Sequence, residues 1–331
     1  MKKIVLICHD PGGYDVIHPV YEKLKTSNEI CCFFPVGPSK KMAGEGLECS
    51  ELLLKIKTMI VSDELGMLVT GTSWGNDIEV KCIDLCNSNG IPTVAVLDYW
   101  SNYKMRFCYQ ECEKYIFPTK YFVMDEIAYR EAVEDGIDAN ILEITGSPGL
   151  DKYIAISKAK RASDTKKNGD ILFLSDPVSD LYGTSLGYTE ESVFLDILDV
   201  CNDLGRKVNI KFHPKDNEYM RKKYSSYEVA GNLDDVVPKF DLAIGMSTMA
   251  LLHSYFWGVP IISYQPGLVG KDMCITNILG ITKRIDSKEE LKELLAGNVS
   301  SVGEENRKPL IWEDGKSTDR VCERLTSLLK S

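Results

Sequence analysis

The sequence predicts an α/β protein built as two doubly wound, mostly parallel-sheet domains. Three observations predict it. Short apolar runs, of the roughly four to eight residues that suit buried parallel strands, alternate with amphipathic stretches along the whole chain. Most runs end in a loop rich in Gly, Ser, Thr, Asp or Asn. The alternation breaks at Gly146-Ser147-Pro148-Gly149, passes a polar, basic stretch, and restarts. A chain of 331 residues is comfortable for two such domains.

The first domain is expected over residues 1–150. Lys3 to Cys8 is a continuous apolar strand. The loop His9-Asp10-Pro11-Gly12-Gly13 follows, then a helix from Tyr14 to about Lys25. Ile30 to Pro35 is the second strand. A loop and a helix to about Ile56 lead to a short strand near Met59 to Val61. Met67 to Thr70 is a strand ending in Gly71-Thr72-Ser73-Trp74-Gly75-Asn76-Asp77, and Ile78 to Asn89 is a helix. Pro92 to Leu97 delivers Asp98, Tyr99 and Trp100 to a loop. Tyr115 to Pro118 is strand-like, Tyr121 to Met124 follows, Asp125 to Asp135 is a helix closed by Gly136, and Ile141 to Thr145 is a strand.

Residues 151–168 read as a boundary: a helix that turns into KAKRASDTKK. The second domain, 169–331, opens with strand Ile171 to Ser175 and a long Gly-, Ser- and Thr-rich loop. A helix from about Glu190 to Leu204, strand Lys207 to Phe212 and the pair His213-Pro214 come next. Short helical pieces lie near Asp216 to Tyr224 and Asn232 to Val237. The stretch Asp241–Gly267 then reads as strand, small-residue turn, helix, tight turn, strand. Gly258 stops its helix and Pro260 forbids continuation. Helices over Ser287 to Leu295 and Asp314 to Leu329 close the chain, the last able to pack back on the first domain.

Composition excludes several classes. A formal net charge of −10 argues against broad nucleic-acid binding, which needs a basic surface. No run reaches the roughly eighteen apolar residues that span a bilayer. MKKIVLICHDPGG superficially resembles a signal peptide, but its apolar stretch is too short and a Gly-rich turn follows, so it reads as a first strand. The eleven cysteines are scattered and form no C-x-x-C pair. They fit reduced thiols of a cytoplasmic protein, at most touching the inner face of a membrane, and not a metal site.

Some stretches carry chemistry. The first turn is neither G-x-G-x-x-G nor a lysine-bearing phosphate loop, so a dinucleotide claim fails on the motif. The turn Gly245-Met246-Ser247-Thr248 is different. It places two hydroxyls where a helix starts after a parallel strand, and the unpaired N–H groups there suit a phosphate. An ordinary crossover with a capped helix gives the same pattern.

Three segments together resemble the GT-B glycosyltransferases and their relatives. Val123–Asp151, ending in Thr145-Gly146-Ser147-Pro148, is similar to the stretch that closes the first domain in UDP-N-acetylglucosamine 2-epimerases and several bacterial GT-B transferases. Lys211-Phe212-His213-Pro214 resembles the H-P motif of sialyl-, Kdo- and polyol-phosphate transferases. Gly245 to Pro266 resembles their donor-phosphate element. Several GT-B families carry a glutamate pair there that reads the ribose; this chain has His253-Ser254-Tyr255-Phe256-Trp257.

The resemblance implies two Rossmann-like domains facing a cleft, and a metal-independent inverting glycosyltransferase with no cofactor. Its donor would be a CMP-, CDP- or UDP-linked sugar, and its acceptor a glycan or lipid-linked glycoconjugate of a surface polysaccharide. A nucleotide-sugar 2-epimerase or hydrolase, a CDP-polyol phosphotransferase and a non-catalytic binder are the rivals. The donor would meet Ser175, Asp176, His213, Pro214, Gly245, Met246, Ser247 and Thr248. His213 would donate to the leaving phosphate. Asp10 or Asp77, with His9 third, would serve as the base, although Asp10 suits a turn and Asp77 a helix cap. His9, Gly12, Gly13, Trp74, Asp98, Tyr99 and Trp100 would meet the acceptor.

Overall fold

The computed structural model describes residues 2–27, 30–73, 75–109, 114–160, 169–297 and 307–330. The chain divides into two compact units, Met1–Ile154 with Pro309–Ser331, and Ala155–Lys308. Both are Rossmann-like: a parallel sheet with helices.

The first unit holds β1 (Lys3–Cys8), β2 (Cys31–Pro35), β3 (Leu65–Thr70), β4 (Thr93–Val96), the short antiparallel pair β5 (Cys108–Tyr109) and β6 (Lys114–Tyr115), β7 (Lys120–Val123) and β8 (Leu142–Ile144). Its main sheet runs β2-β1-β3-β4-β7-β8, all parallel. Every residue of β3 and β4 is buried, as a sheet covered on both faces requires. Ile4, Leu6, Val16, Ile17, Val20, Met67, Val69, Val94 and Phe122 form one core, which Val321 and Leu325 of the final helix, Ser317–Lys330, complete. Those last residues thus belong to the first unit, where the sequence division placed them in the second.

The strand expected near Met59 to Val61 is the end of helix Cys49–Val61. Leu52, Ile56 and Met59 are its buried residues, and this i, i+4, i+7 face outweighs the apolar run at its end.

The second unit holds β9 (Ile171–Leu174), β10 (Val208–Lys211), β11 (Leu242–Gly245), β12 (Ile261–Tyr264) and β13 (Arg284–Ile285), ordered β10-β9-β11-β12-β13 and all parallel. Phe173, Phe194, Ile197, Ile210, Ile244 and Ile262 lie at its core. The long loop expected after β9 carries a short helix of its own, Val178–Tyr182. The described cysteines are free. Among the described residues, no helix is long and apolar enough to cross a membrane, and no cluster of three or more His, Cys, Asp or Glu could hold a metal ion.

Candidate functional site

Open α/β sheets bind ligands beyond the carboxyl ends of their strands. In each unit those ends gather polar groups.

In the second unit β9 ends at Ser175-Asp176, β10 leads to His213-Pro214, and β11 ends at Gly245, before Met246-Ser247-Thr248. Thr248 caps helix Met249–Phe256: its Oγ1 accepts the Ala250 N–H at 3.3 Å. The Ser247 hydroxyl donates to Asp176 Oδ2 at 3.3 Å. Gly245 and Met246 are buried and serve packing; a side chain on Gly245 would meet Leu251 and Thr248 at 3.1 Å. A cavity of about 410 Å³ opens here, lined among others by Ser175, His213, Pro214, Thr248 and His253.

His213 is held by its own loop. Its backbone N–H donates to Asp216 Oδ2 at 2.8 Å, and its Nδ1 accepts the Lys215 N–H at 3.1 Å. Neutral His213 therefore carries its proton on Nε2, which leaves Nε2–H as the ring's donor. Burial pulls its pKa below the usual imidazole value. Asp176 is pushed up to about 6 by burial, against the hydrogen bonds that favour its charge. Asp216 rises for the same first reason. Beyond β12, Gln265 donates to Ser263 Oγ and Asp272 Oδ1, and Asn277 donates to Ser263 Oγ and Asp272 Oδ2. This side-chain network ties the two ends of the loop from Gln265 to Asn277 together, beside backbone bonds such as Val269 N–H to the Leu186 carbonyl.

In the first unit Asp10 is the N-cap of helix Pro11–Thr26, and its Oδ1 accepts the Gly13 N–H at 2.7 Å. Gly12 and Gly13 lie in that helix's first turn. Their smallness admits protein: a Cβ on Gly12 would sit 2.0 Å from Asp98 Oδ2, and one on Gly71 would sit 2.9 Å from Gly13 Cα. Asp98 is ion-paired with Arg106 at 2.6 Å and accepts from the Thr72 hydroxyl at 3.1 Å. Arg106 also donates to the Thr72 carbonyl and, at 3.0 Å, to the Ser101 carbonyl. Burial raises Asp98, and the Arg106 charge opposes the rise.

Beneath these loops sits Glu79, 3% exposed. Its Oε2 accepts the Ser73 N–H at 2.6 Å, and its Oε1 has no hydrogen-bond partner. Buried His9 Nδ1, Thr70 Oγ1 and Ser73 Oγ are likewise without one. Burial first, then the charge of Asp10, pushes Glu79 up to about 7.

The remaining expected residues are placed as follows. Asp77 starts helix Ile78–Asn87 without a side-chain cap bond; its carboxylate pairs with Lys81 at 3.1 Å, and Asn76 takes the Ile78 N–H. His9 packs under Gly37, where a Cβ would lie 2.4 Å from its ring. Tyr99 is half-buried and packs edge-on to Trp100. Trp100 is a core group, 5% exposed: its Nε1 donates to Asp125 Oδ2, as does that of Trp312. Its indole is spent on packing, not on a pocket wall. Trp74 lies outside the described residues.

Sequence reasoning passed over Glu79, Arg106, Asp272 and Asn277, while the loops ending in Asp216 and starting at Gln265 were expected to face the cleft. A signal existed for Glu79: it shares a helix face with Cys82, Ile83 and Cys86 at i+3, i+4 and i+7, so a charge stands on an apolar stripe.

No family model and no curated protein matches the chain. Solved structures do match. A UDP-GlcNAc 2-epimerase from Methanocaldococcus jannaschii is 12% identical with a TM-score of 0.69, covering 98% of this chain and 99% of its own. One from Neisseria meningitidis, bound to UDP-GlcNAc, is 12% identical with a TM-score of 0.66, covering 98% and 100%. The S. aureus MnaA–UDP structure is 12% identical with a TM-score of 0.64, covering 100% and 97%. At this identity the likeness shows the fold, the two-domain α/β architecture that the sequence resemblance implied.

Proposed function

We propose that the chain is an enzyme acting on a nucleotide-activated sugar, of the 2-epimerase or hydrolase kind in preference to a glycosyltransferase. The observation that carries the reading is the strand-end cavity of the second unit. His213 Nε2–H, the Ser175 hydroxyl and the capped start of helix Met249–Phe256 meet around it. Breaking the bond between the anomeric carbon and the phosphate leaves negative charge on the phosphate oxygen. Donors already in place there stabilise that charge where it develops. The helix start and neutral His213 supply them without a metal.

The same departure serves three outcomes. If the base takes its proton from water, the sugar is hydrolysed. From an acceptor hydroxyl, the sugar is transferred. From the carbon beside the anomeric centre, elimination opens the way to an epimer. Likeness over the whole chain to 2-epimerases, two of them solved with UDP-GlcNAc, favours the last outcome over transfer.

A second reading, transfer from a CMP- or CDP-linked donor, draws on one feature: His253 lines the cavity, and the stretch His253 to Trp257 lacks the glutamate pair that the resemblance leads one to expect there. The experiment is incubation with UDP-GlcNAc, and with CDP- and CMP-linked sugars, without acceptor, followed by proton NMR. An epimeric nucleotide sugar, or free sugar with nucleotide, is expected. Turnover only after a glycan acceptor is added would replace this reading with the transferase.

A further inference from the structure

A chain of hydrogen bonds in the second unit runs in one direction only. It starts at the carboxylate of Asp272, which accepts and does not donate. Asp272 Oδ1 takes the side-chain amide N–H of Gln265 at 2.9 Å and the Cys274 backbone N–H at 2.8 Å, and Oδ2 takes the side-chain amide N–H of Asn277 at 2.8 Å. Both amides therefore turn their nitrogens to this side. Each gives its second proton to the Ser263 hydroxyl, Gln265 at 3.0 Å and Asn277 at 2.9 Å. With both lone pairs taken, Ser263 is left to donate, and its proton goes to the Met246 carbonyl at 2.9 Å. The Cys274 thiol also neighbours this hydroxyl, but sulfur is the weaker acceptor. Ser263 and Met246 are fully buried and Gln265 is 1% exposed, which keeps water from competing.

The chain ends on the turn that carries Ser247. β11 lies between β9 and β12, and its last residue, Gly245, stands opposite Leu174 on one side and Ser263 on the other. The Met246 carbonyl is drawn toward β12. In a trans peptide the C=O and the following N–H point in opposite directions, and the described residues contain no cis bond. The Ser247 N–H therefore faces β9, the side on which Leu174 and Ser175 line the cavity. The Ser247 hydroxyl reaches the same side, at Asp176. We propose that Ser263 and Asp272 are positioning residues: through Gln265 and Asn277 they hold the Met246–Ser247 peptide so that its N–H is a fixed donor to the ligand's phosphate. The inference rests on the reading of this cavity as the phosphate site. Neither residue lines the cavity; both act through the peptide. A donor aimed before the ligand arrives costs no reorganisation when charge develops on the departing oxygen.

The test is calorimetric titration of the full chain with UDP, and with CDP as a second probe. Ser263→Ala removes the donor to Met246. Asp272→Asn keeps the shape but can accept from only one of the two amides. The other turns its carbonyl toward Ser263 and draws the proton away from Met246. Each variant is expected to bind about 10-fold more weakly than wild type, the worth of one hydrogen bond to a charged group. For Asp272→Asn this opposes plain electrostatics, since loss of a negative charge would tighten the binding of an anion. Tyr264→Phe is the control. It loses a 2.9 Å bond to Asp196 from the same strand, off the chain, and is expected to bind within about 2-fold of wild type. Thermal unfolding reports which variants fold; if Ser263→Ala does not, Asp272→Asn carries the test. Wild-type affinity in either folded variant, tighter binding in Asp272→Asn, or a loss in Tyr264→Phe as large as theirs overturns the inference. If wild type binds neither probe, the phosphate reading of the cavity itself fails.

Discussion

Replacing Glu79 with glutamine should make the protein more stable at alkaline pH than at acidic pH, relative to wild type. In the unfolded chain this carboxyl titrates near 4.5; in the fold, burial raises it to about 7. The folded state therefore holds a proton that the unfolded state has released, and wild-type stability falls as pH climbs through that window. A shift of this size is worth about 3 kcal/mol at most, at roughly 1.4 kcal/mol per pH unit. Below about pH 4.5 the contribution of this group vanishes, and above about pH 7 it is constant. Glutamine keeps the shape and an oxygen for the Ser73 N–H but cannot ionise. Any cost of its amide facing the unpartnered Oε1 position is independent of pH. The difference between variant and wild type should thus grow by about 2–3 kcal/mol from pH 5 to pH 8. Urea unfolding followed by tryptophan fluorescence measures it. In a Trp257→Phe background the remaining tryptophans, Trp74, Trp100 and Trp312, all belong to the first unit. A difference constant within about 0.5 kcal/mol across that range would show that Glu79 is ionised in the fold, and would refute the reasoning.

Other predictions concern the site residues directly. His213→Ala should lower kcat on a nucleotide sugar by about 10²–10³ with little change in KM, since its Nε2–H acts on charge that develops in the transition state; equal loss in KM alone would contradict that role. Thr248→Val should cost about 1 kcal/mol in urea unfolding of the second unit through the lost cap, while Thr248→Ser should be nearly neutral; equal stability of both would show that the cap bond contributes little. Gly12→Ala should destabilise the first unit by about 1–3 kcal/mol, because its Cβ would overlap a carboxylate that Arg106 holds in place. Asp98→Ala, which removes the overlapped carboxylate, should make the added cost of Gly12→Ala much smaller, which a double-mutant cycle would read.

What was legible in the sequence is what depends on neighbours along the chain. Val-, Ile- and Leu-rich runs such as Ile171–Leu174 are strands because both faces are covered, and nothing local competes. The Ser/Thr turn after β11 shows in sequence because a cap is a short-range bond. Misreadings arose where local signals conflict. Met59–Val61 looks extended alone, but Met59 continues a helical face begun at Leu52. Glycines at 12 and 13 suggested a ligand's approach, yet the groups that approach are Asp98 and Gly71, far along the sequence. Arg106 gave no signal at all, since its partners Thr72 and Asp98 come from two other loops. Trp100 shows the same limit: Asp125, distant in sequence, draws its indole into the core.

Both units meet the same electrostatic demand in different ways, and the difference singles out one turn for ligand. A helix that begins at the end of a parallel strand presents unpaired N–H groups; the first unit answers one of them with Asp10 and the second with Thr248. In the first unit the answer is local. Asp10 bonds to Gly13, three residues on, so an incoming anion would have to unseat the N-cap of helix Pro11–Thr26. In the second unit the cap is Thr248, and Asp176 is an addition from another loop, 71 residues away from Ser247 in sequence. Removing Asp176 breaks no helical bond and leaves the cap intact. An anion arriving at Ser247-Thr248 therefore need not displace a helix cap, as it must at Asp10. The first unit's carboxylates, crowded around Arg106 and Glu79, are better suited to taking protons than to yielding their places.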